Sequence, residues 1–291
     1  MSINVLKDIR KLFARVDAGQ IRESAFRDVQ IGLIAASPDD YRRMESFLVP
    51  RTLPVQSRAR AQSSLRIVDD SATRYDVVLC GPGVPLPRNG FLFDQNSCES
   101  VVDLILAESE DLELALARTF PAFRTAVVGR LIQRVARENA LFSIVTALPN
   151  VIPSIIELPW AVGEFASDTA FLTMNQIRLA LMLSAVHGHP VGYADLKVEI
   201  AAIVAGAFGW RAVARELAGK IPLGGGLIPK AAISFAATWV VGLGVDKARR
   251  TGETLTQAER VAAYGYALDK GMDVAAELVD QSSLRGVSSP G

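Results

Sequence analysis

The first 120 residues alternate between short apolar runs and stretches whose apolar positions have helical spacing. Four runs are short, apolar and rich in β-branched residues: 29–35, 65–68, 75–80 and 101–106. Each of them predicts a buried strand. After the first run, Ser37 and Pro38 have the pattern of a helix N-cap and a first helical residue. Strands separated by helices are typical of a small α/β domain with a mainly parallel sheet.

From Pro121 onward the apolar positions follow the period of long helices. Helices are predicted over five segments: 121–148, 168–188, 193–220, 221–245 and 256–279. The sequence therefore predicts a small α/β N-terminal domain joined to an all-α, apolar C-terminal domain. The predicted boundaries are 1–20 for an amphipathic basic helix, 21–120 for the α/β domain, 121–280 for the helical domain and 281–291 for a disordered tail.

The first 20 residues do not have the continuous apolar core of a secretory signal, because charged residues are interleaved with apolar ones. Basic residues occupy one side of the predicted helix: Lys7, Arg10, Lys11 and Arg15. Such a helix can dock on a membrane surface or on another protein. An ordinary packing helix with one solvated side has the same pattern.

The segment Ile221–Val245 has three consecutive glycines and is almost uncharged. A phosphate-binding loop requires a Lys followed by Ser or Thr after a strand. Here Ala231 follows Lys230, and Pro229 removes a backbone amide. We therefore expect no phosphate loop, and two alternatives remain: a membrane-associated helix or the central helix of a large soluble core.

Small residues recur four apart in the helical half, on Ser234, Thr238 and Gly242 and again on Ala201, Ala205 and Gly209. This spacing lets helices approach closely in membranes, and it equally suits close packing in a soluble core. A third apolar stretch, 140–156, is interrupted by Pro149 and Pro153. None of these stretches has the roughly 20 uninterrupted apolar residues of a clean membrane span.

Three motifs resemble a bacterial family of helical domains found C-terminal to some Era-like GTPases and in YcjF-type inner-membrane proteins. They are ENALFSIVTALPNVIP, NQIRLALMLSAVHG and KIPLGGGLIPKAAISFAATWVVGLGV. The last is the most specific, with its Thr-Trp-x-x-Gly element at Thr238, Trp239 and Gly242. The resemblance covers roughly Pro121 to Gly265. It implies an all-helical, membrane-associated module with no established chemistry.

Because that family includes GTPases, we compared the α/β half with the phosphate-loop pattern. Gly32 matches the first glycine, but Ser37, Pro38 and Asp39 occupy the positions of the second glycine, the lysine and the Ser/Thr. Cys80 stands where an Asp-x-Pro-Gly turn would begin, and an Asn-Lys-x-Asp motif is absent. Loss of the lysine and gain of an acidic residue disfavour a triphosphate. We expect either a degenerate GTPase-like domain or an unrelated α/β domain, with no nucleotide at a standard phosphate loop.

The charged residues and the cysteines limit which partners and ligands are expected. Lys plus Arg and Asp plus Glu are both 31, so the formal net charge is zero, and there is no long basic run. Nucleic-acid binding is therefore not expected. Cys80 and Cys98 are too few for a disulfide framework or a four-cysteine zinc site, and we interpret them as reduced thiols.

Three groups of polar residues are candidates for metal binding, catalysis or buried hydrogen bonds. His187 and His189 have no evident third metal ligand, so a polar turn is favoured over a metal site. Glu157, Glu164 and Asp168 could share a helix face, and a hydrated face is favoured over acid–base catalysis. Four polar residues lie among apolar helical positions: Asn139, Asp168, Asn175 and Gln176. If buried, these four should form interhelical hydrogen bonds.

The sequence thus predicts no catalytic residue, no metal and no cofactor. The leading hypothesis is a non-enzymatic, membrane-associated adaptor or scaffold at the cytoplasmic face of the inner membrane, acting through a protein partner or self-association. One alternative is a soluble, cytoplasmic scaffold for a GTPase partner, with a large helical core. The other is a nucleotide-binding protein or enzyme with an atypical site.

Overall fold

The computed structural model of the protein describes residues 17–68, 74–147, 168–192, 194–202 and 226–286. These residues form two compact units. The α/β unit is formed by Gly19–Arg130 and Ser184–Pro190, and the helical unit by the described residues of 131–183 and 191–286. The small parallel sheet in the N-terminal half and the apolar helices of the C-terminal part confirm the predicted fold class.

The sheet contains four parallel strands: β1 Ile31–Ile34, β2 Leu65–Ile67, β3 Val77–Cys80 and β4 Gly90–Leu92. Their order is β2-β1-β3-β4, so that Ile31 is paired with Leu65 on one side and with Val77 on the other. The central strand β3 is buried along its whole length, which accounts for its continuous apolar sequence. The three predicted strands that correspond to β1, β2 and β3 are confirmed, with shorter bounds than predicted.

The α/β unit also contains five helices: α1 Ala18–Phe26, α2 Pro38–Leu48, α3 Val55–Ser63, α4 Cys98–Glu108 and α5 Glu113–Thr119. Short 3₁₀ turns occur at Gln95–Ser97, Glu110–Leu112 and Pro121–Phe123.

The prediction of a strand at 101–106 is wrong, because this segment lies in α4. Its buried residues are Val101, Val102, Ile105 and Leu106. They share one face of a helix, whereas Asp103 and Leu104 between them are exposed. The β-branched composition of this segment is the reason for the wrong prediction of a strand. The spacing of its buried residues is that of a helix. The fourth strand is instead β4, whose three residues are too few to show an alternating pattern.

The helical part contains α6 Arg124–Val145, α7 Asp168–Val186, α8 Leu227–Thr251 and α9 Gln257–Gly286, and residues 197–202 are also helical. The helix α8 ends at Gly252, whose φ of 76° is a left-handed conformation that glycine adopts without strain. The helix α9 begins with a capping box, in which Thr256 and Glu259 exchange hydrogen bonds through their side chains and amides.

Contacts along α8 show that α6 and α9 both run antiparallel to it. On α6, Ile132 lies near Gly242 and Ser143 near Ser234. One core cluster of this unit joins all three helices: Ala136, Ala140 and Ile144 from α6, Ala231 and Phe235 from α8, and Val274, Ala275 and Leu278 from α9. α8 is therefore the central helix of the three.

Four predicted features fall partly or wholly outside the described residues: the N-terminal helix 1–20, the helices 193–220 and 221–245, and the tail 281–291. The basic residues of the predicted N-terminal helix 1–20 lie outside them. The helix α9 continues to Gly286 and so extends six residues into the predicted tail 281–291; no proline lies between the start of α9 and Pro290. The α/β and helical units divide after Arg130, ten residues beyond the predicted boundary at 120.

A buried polar network in the helical unit

The small-residue stripe of α8 faces α6. Thr238 is fully buried and Ser234 is 9% exposed. Gly242 is also buried, and a Cβ added to it would lie 2.6 Å from Cγ1 of Ile132. The stripe therefore brings the backbones of α6 and α8 close together, as its spacing allows.

Polar side chains from three helices meet at Thr238. Asn139 on α6 donates to Thr238 Oγ1 at 2.7 Å, and Gln176 on α7 donates to the same oxygen at 3.4 Å. Asn175 on α7 donates to Asn139 Oδ1 at 2.9 Å. Asn139 and Asn175 are both fully buried. These residues link α6, α7 and α8 through one continuous set of hydrogen bonds.

Serine side chains extend the network by one helical turn. Ser143 and Ser234 lie 2.6 Å apart, oxygen to oxygen. Each hydroxyl also lies within hydrogen-bond distance of the carbonyl four residues earlier on its own helix, that of Asn139 for Ser143 and that of Lys230 for Ser234. Because a hydroxyl has one proton, one serine donates to its carbonyl while the other donates to the neighbouring serine. Thr238 likewise donates to the Ser234 carbonyl at 2.9 Å. The hydroxyl groups are thus satisfied inside the helix cluster, as buried polar groups must be.

An ion pair borders the network where α6 meets α7. Arg178 donates to Glu138 at 2.6 Å, with side chains 13% and 17% exposed. The Asn175 amide lies 3.5 Å from the same carboxylate. Asn175 Oδ1 accepts no hydrogen bond although it is buried, which costs on the order of 1–3 kcal/mol.

This arrangement is suited to positioning helices. Its members are amides and hydroxyls, and the carboxylate nearest to them is neutralised by Arg178. Each hydrogen bond contributes about 1 kcal/mol, and leaving one partner unpaired costs more than that. The network therefore fixes the register of α6, α7 and α8 more strictly than apolar packing alone.

Trp239 lies beside the stripe but faces α9 instead of α6. Its ring stacks on Phe235 with centroids 5.5 Å apart and contacts the exposed Tyr266 at 6.2 Å. The Lys270 ammonium lies 4.6 Å from the Trp239 ring centroid. This aromatic and cationic cluster is on the partly exposed side of α8.

The remaining predicted residues are not brought into this network. Ala201 is half-buried in the helical stretch 197–202. Several residues lie outside the described part of the chain: Ala205, Gly209, Glu157, Glu164 and the side chain of Asp168. Ser143, Ile132 and the Glu138–Arg178 pair were not predicted. The position of Ser143, four residues after Asn139 on the same helix, was the signal that could have identified it.

His187 and His189 lie at a turn that follows α7. His187 and His189 flank Gly188, which has a φ of 79°. The His189 carbonyl accepts a hydrogen bond from Arg118. Over the residues that the structure describes, no group of three or more His, Cys, Asp or Glu could hold a metal ion. The geometry of this segment is that of the polar turn expected from its sequence.

The position that would correspond to a phosphate loop is filled by the protein's own side chains. Ser37 caps α2, accepting from the Asp40 amide at 3.2 Å and donating to the Asp40 carboxylate at 2.6 Å. Asp39 and Asp40 both lie in the first turn of α2. Their negative charge at this helix N-terminus would repel a phosphate from the free backbone amides.

Cys80 at the end of β3 is fully buried, and burial raises the pKa of its thiol. A raised pKa leaves the thiol protonated near neutral pH and therefore a poor nucleophile.

Among the described helices, α8 alone is long and apolar enough to cross a membrane by length and composition. Its most apolar window has a mean hydropathy of 1.5, and half of that window is buried inside the protein. One such helix is weak evidence for membrane association, since the core helix of a soluble protein has the same properties.

Comparisons with protein-family models, with curated proteins and with solved structures gave no match. The resemblance to the GTPase-associated helical family consequently stays a prediction.

Proposed function

We propose that the protein is a non-enzymatic adaptor or scaffold whose helical unit associates with the cytoplasmic face of the inner membrane and whose α/β unit binds a protein partner. The observation that carries the proposal is the construction of α8. It is a 25-residue apolar helix, and its polar side chains at Ser234 and Thr238 are satisfied within the helical unit. The resemblance to a membrane-associated family supports the same proposal.

The packing of α9 against α8 favours attachment at the membrane surface over passage of α8 through the bilayer. Lys270 lies against Trp239, near the middle of α8, and Glu277 forms a two-pronged ion pair with Arg137 of α6 at 3.1 Å. In this packing, an α8 that crossed the bilayer would carry these charges into the hydrocarbon. Each charged residue at a membrane centre costs about 2.5–3.5 kcal/mol on insertion scales.

Fractionation of cells that produce the full-length protein tests the proposal. We expect the protein to pellet with membranes and to be released by high salt, because surface attachment depends on basic residues. A variant with Lys7→Glu and Lys11→Glu should lose pelleting. A matched charge change in the α/β unit, Arg22→Glu with Arg88→Glu, should keep it.

Two outcomes would contradict surface attachment. Pelleting that resists both salt and alkaline carbonate would mean insertion, and α8 would then have to leave its packing against charged α9. Protein that stays entirely in the soluble fraction would remove membrane association altogether.

The second candidate is a soluble scaffold for a GTPase partner. The observation that favours it is the burial of half of the most apolar window of α8, as in the core helix of a soluble protein. It predicts that the full-length protein is monodisperse without detergent, with a free energy of unfolding unchanged by added lipid. Aggregation that only detergent relieves would exclude this candidate.

A further inference from the structure

Three arginines of the α/β unit lie together, and none of them has a carboxylate partner among the residues that the structure describes. They are Arg60 on α3, Arg118 on α5 and Arg124 at the start of α6, and we call them the arginine cluster. No salt bridge in the described part of the chain joins any of the three to an acidic side chain. Other arginines of this unit are paired, as in Arg27 with Asp111 at 2.8 Å and Arg130 with Asp103 at 3.4 Å.

Backbone carbonyls hold Arg118 in place. Its guanidinium donates to the carbonyls of Ala185 and His189 at 3.1 and 3.0 Å. The same group lies 3.8 Å from the centroid of the Phe26 ring. Its Nε is buried and makes no hydrogen bond. The charge is therefore fixed in position, and part of its hydrogen-bonding capacity is unused.

Arg124 lies beside Arg118. Its Nε donates to the Ala117 carbonyl at 3.1 Å, and its terminal nitrogen lies 3.5 Å from the Arg118 carbonyl. Arg60 is exposed on α3, a helix that packs against α5. Burial lowers the pKa of Arg118, and repulsion from Arg60 and Arg124 lowers it further. The carbonyls offer only partial negative charge, so the cluster retains most of its positive charge.

The sequence on either side of Arg60 carries further positive charge. Residues 46–68 contain no Asp or Glu, and Arg51 and Arg66 within this segment are exposed. Guanidinium groups form strong, charge-assisted hydrogen bonds with carboxylates. The exposed Phe26 ring beside Arg118, 47% accessible, could in addition contact an apolar side chain.

We propose that the arginine cluster binds carboxylate side chains of an acidic segment in a partner protein. This inference rests on the proposed function, since it assigns the partner surface of the α/β unit. Arg118 and Arg124 are half-buried, so a flexible side chain of a partner protein would contact them more fully than a flat membrane surface would. The net charge of zero and the absence of a long basic run disfavour a nucleic acid.

Fluorescence anisotropy with the full-length protein tests the assignment, with a labelled synthetic octapeptide of six Glu and two Leu as the probe. We expect saturable binding that weakens as salt is raised. Arg60→Glu should weaken it roughly tenfold or more, because a charge-assisted contact becomes a repulsion. Arg60 is exposed, so this variant should fold normally, and circular dichroism would check that it does.

Arg88→Glu is the matched control, since it makes the same change of charge at an exposed position in the β3–β4 loop. Equal losses for the two variants, or no loss for Arg60→Glu, would overturn the proposal. Binding to vesicles with 30% anionic lipid that depends on Arg60 would also overturn it, in favour of a lipid site. If the protein pellets normally with membranes but does not bind the peptide, the proposal for the arginine cluster is wrong and membrane association still stands. Peptide binding without pelleting would remove only membrane association.

Discussion

Asn139 on α6 donates a hydrogen bond to Thr238 on α8 at 2.7 Å, and both side chains are fully buried. The two residues are 99 positions apart in the sequence. Since Gln176 donates to the same hydroxyl, Thr238 is the point at which α6, α7 and α8 are joined. Removal of the Thr238 hydroxyl should therefore lower the free energy of unfolding, and more so the more partners are left unpaired.

Thr238→Val tests this directly, because valine keeps the shape of the side chain and removes the hydroxyl. The Asn139 and Gln176 amides would each lose an acceptor in a buried site, so we expect the free energy of unfolding to fall by about 1–3 kcal/mol. Chemical denaturation measures it. Thr251→Val on the exposed end of the same helix is the control and should change it by less than about 0.5 kcal/mol. Equal effects at the two positions would argue against the network.

Gly242→Ala should destabilise the protein, because the new Cβ would approach Cγ1 of Ile132 to 2.6 Å. Overpacking of this kind costs about 1–3 kcal/mol. At Gly244 an added Cβ would meet Leu255 at an ordinary 3.6 Å. Gly244→Ala should consequently be neutral or stabilising, since alanine favours a helix by up to about 1 kcal/mol. Thermal unfolding of the two variants compares them directly.

A double-mutant cycle shows whether the clash with Ile132 is the cause. Ile132→Ala alone should destabilise by creating a cavity. Combined with Gly242→Ala, it should cost less than the sum of the two single changes, because the space is refilled. Strict additivity would mean that the cost of Gly242→Ala arises elsewhere.

Glu259 should make the stability of the protein depend on pH in the acidic range. Hydrogen bonds from Lys247 and from the amide and hydroxyl of Thr256 lower its pKa from 4.5 to about 2. Because the folded-state pKa is lowered, its contribution is present above pH 4.5 and is lost as pH falls toward 2. The difference in melting temperature between wild type and Glu259→Gln should therefore shrink from pH 5 to pH 2.5.

Glu253→Gln is the control for Glu259. The Glu253 carboxylate lies 3.9 Å from Lys247 and is 73% exposed, so we expect this variant to follow the wild type over the same range of pH. A constant difference between wild type and Glu259→Gln across that range would contradict the assignment.

Nucleotides should not stabilise the protein. The α2 N-terminus is capped by Ser37, and the first turn carries Asp39 and Asp40. We therefore expect millimolar ATP or GTP with Mg²⁺ to leave the melting temperature unchanged. A ligand at 100 times its dissociation constant would contribute about 2.7 kcal/mol and would be visible. A rise that Ser37→Ala abolishes would instead support the atypical nucleotide site.

The class of fold could be predicted from sequence, because three strands stand out as short apolar runs and the long helices have a clear apolar period. The strand predicted at 101–106 failed because Val and Ile suit either a strand or a buried helix face. β4 was not found because three residues are too few for a period. The pairing of β4 with β3 shows that residues 90–92, and not 101–106, form the fourth strand. This pairing is not visible in the sequence.

The polar network could be predicted in part. Asn139, Asn175 and Gln176 stand out as polar residues in apolar helices, and burial alone requires that they find partners. That Asn139 meets Thr238 could not be deduced, because it depends on the docking of helices far apart in sequence. The arginine cluster was missed for the same reason: Arg60 and Arg118 are brought together only by the packing of α3 on α5.

The hairpin formed by α8 and α9 has a consequence for the order of folding. Its helices are joined by only the five residues 252–256, so their contacts close a short loop and should form rapidly. Asn139 meets Thr238 only after a much longer loop has closed. During synthesis α6 is made before its partner α8. The Asn139 and Ser143 side chains are therefore exposed to water until α8 docks. Variants in the α8–α9 contact should slow folding, whereas Thr238→Val should mainly speed unfolding.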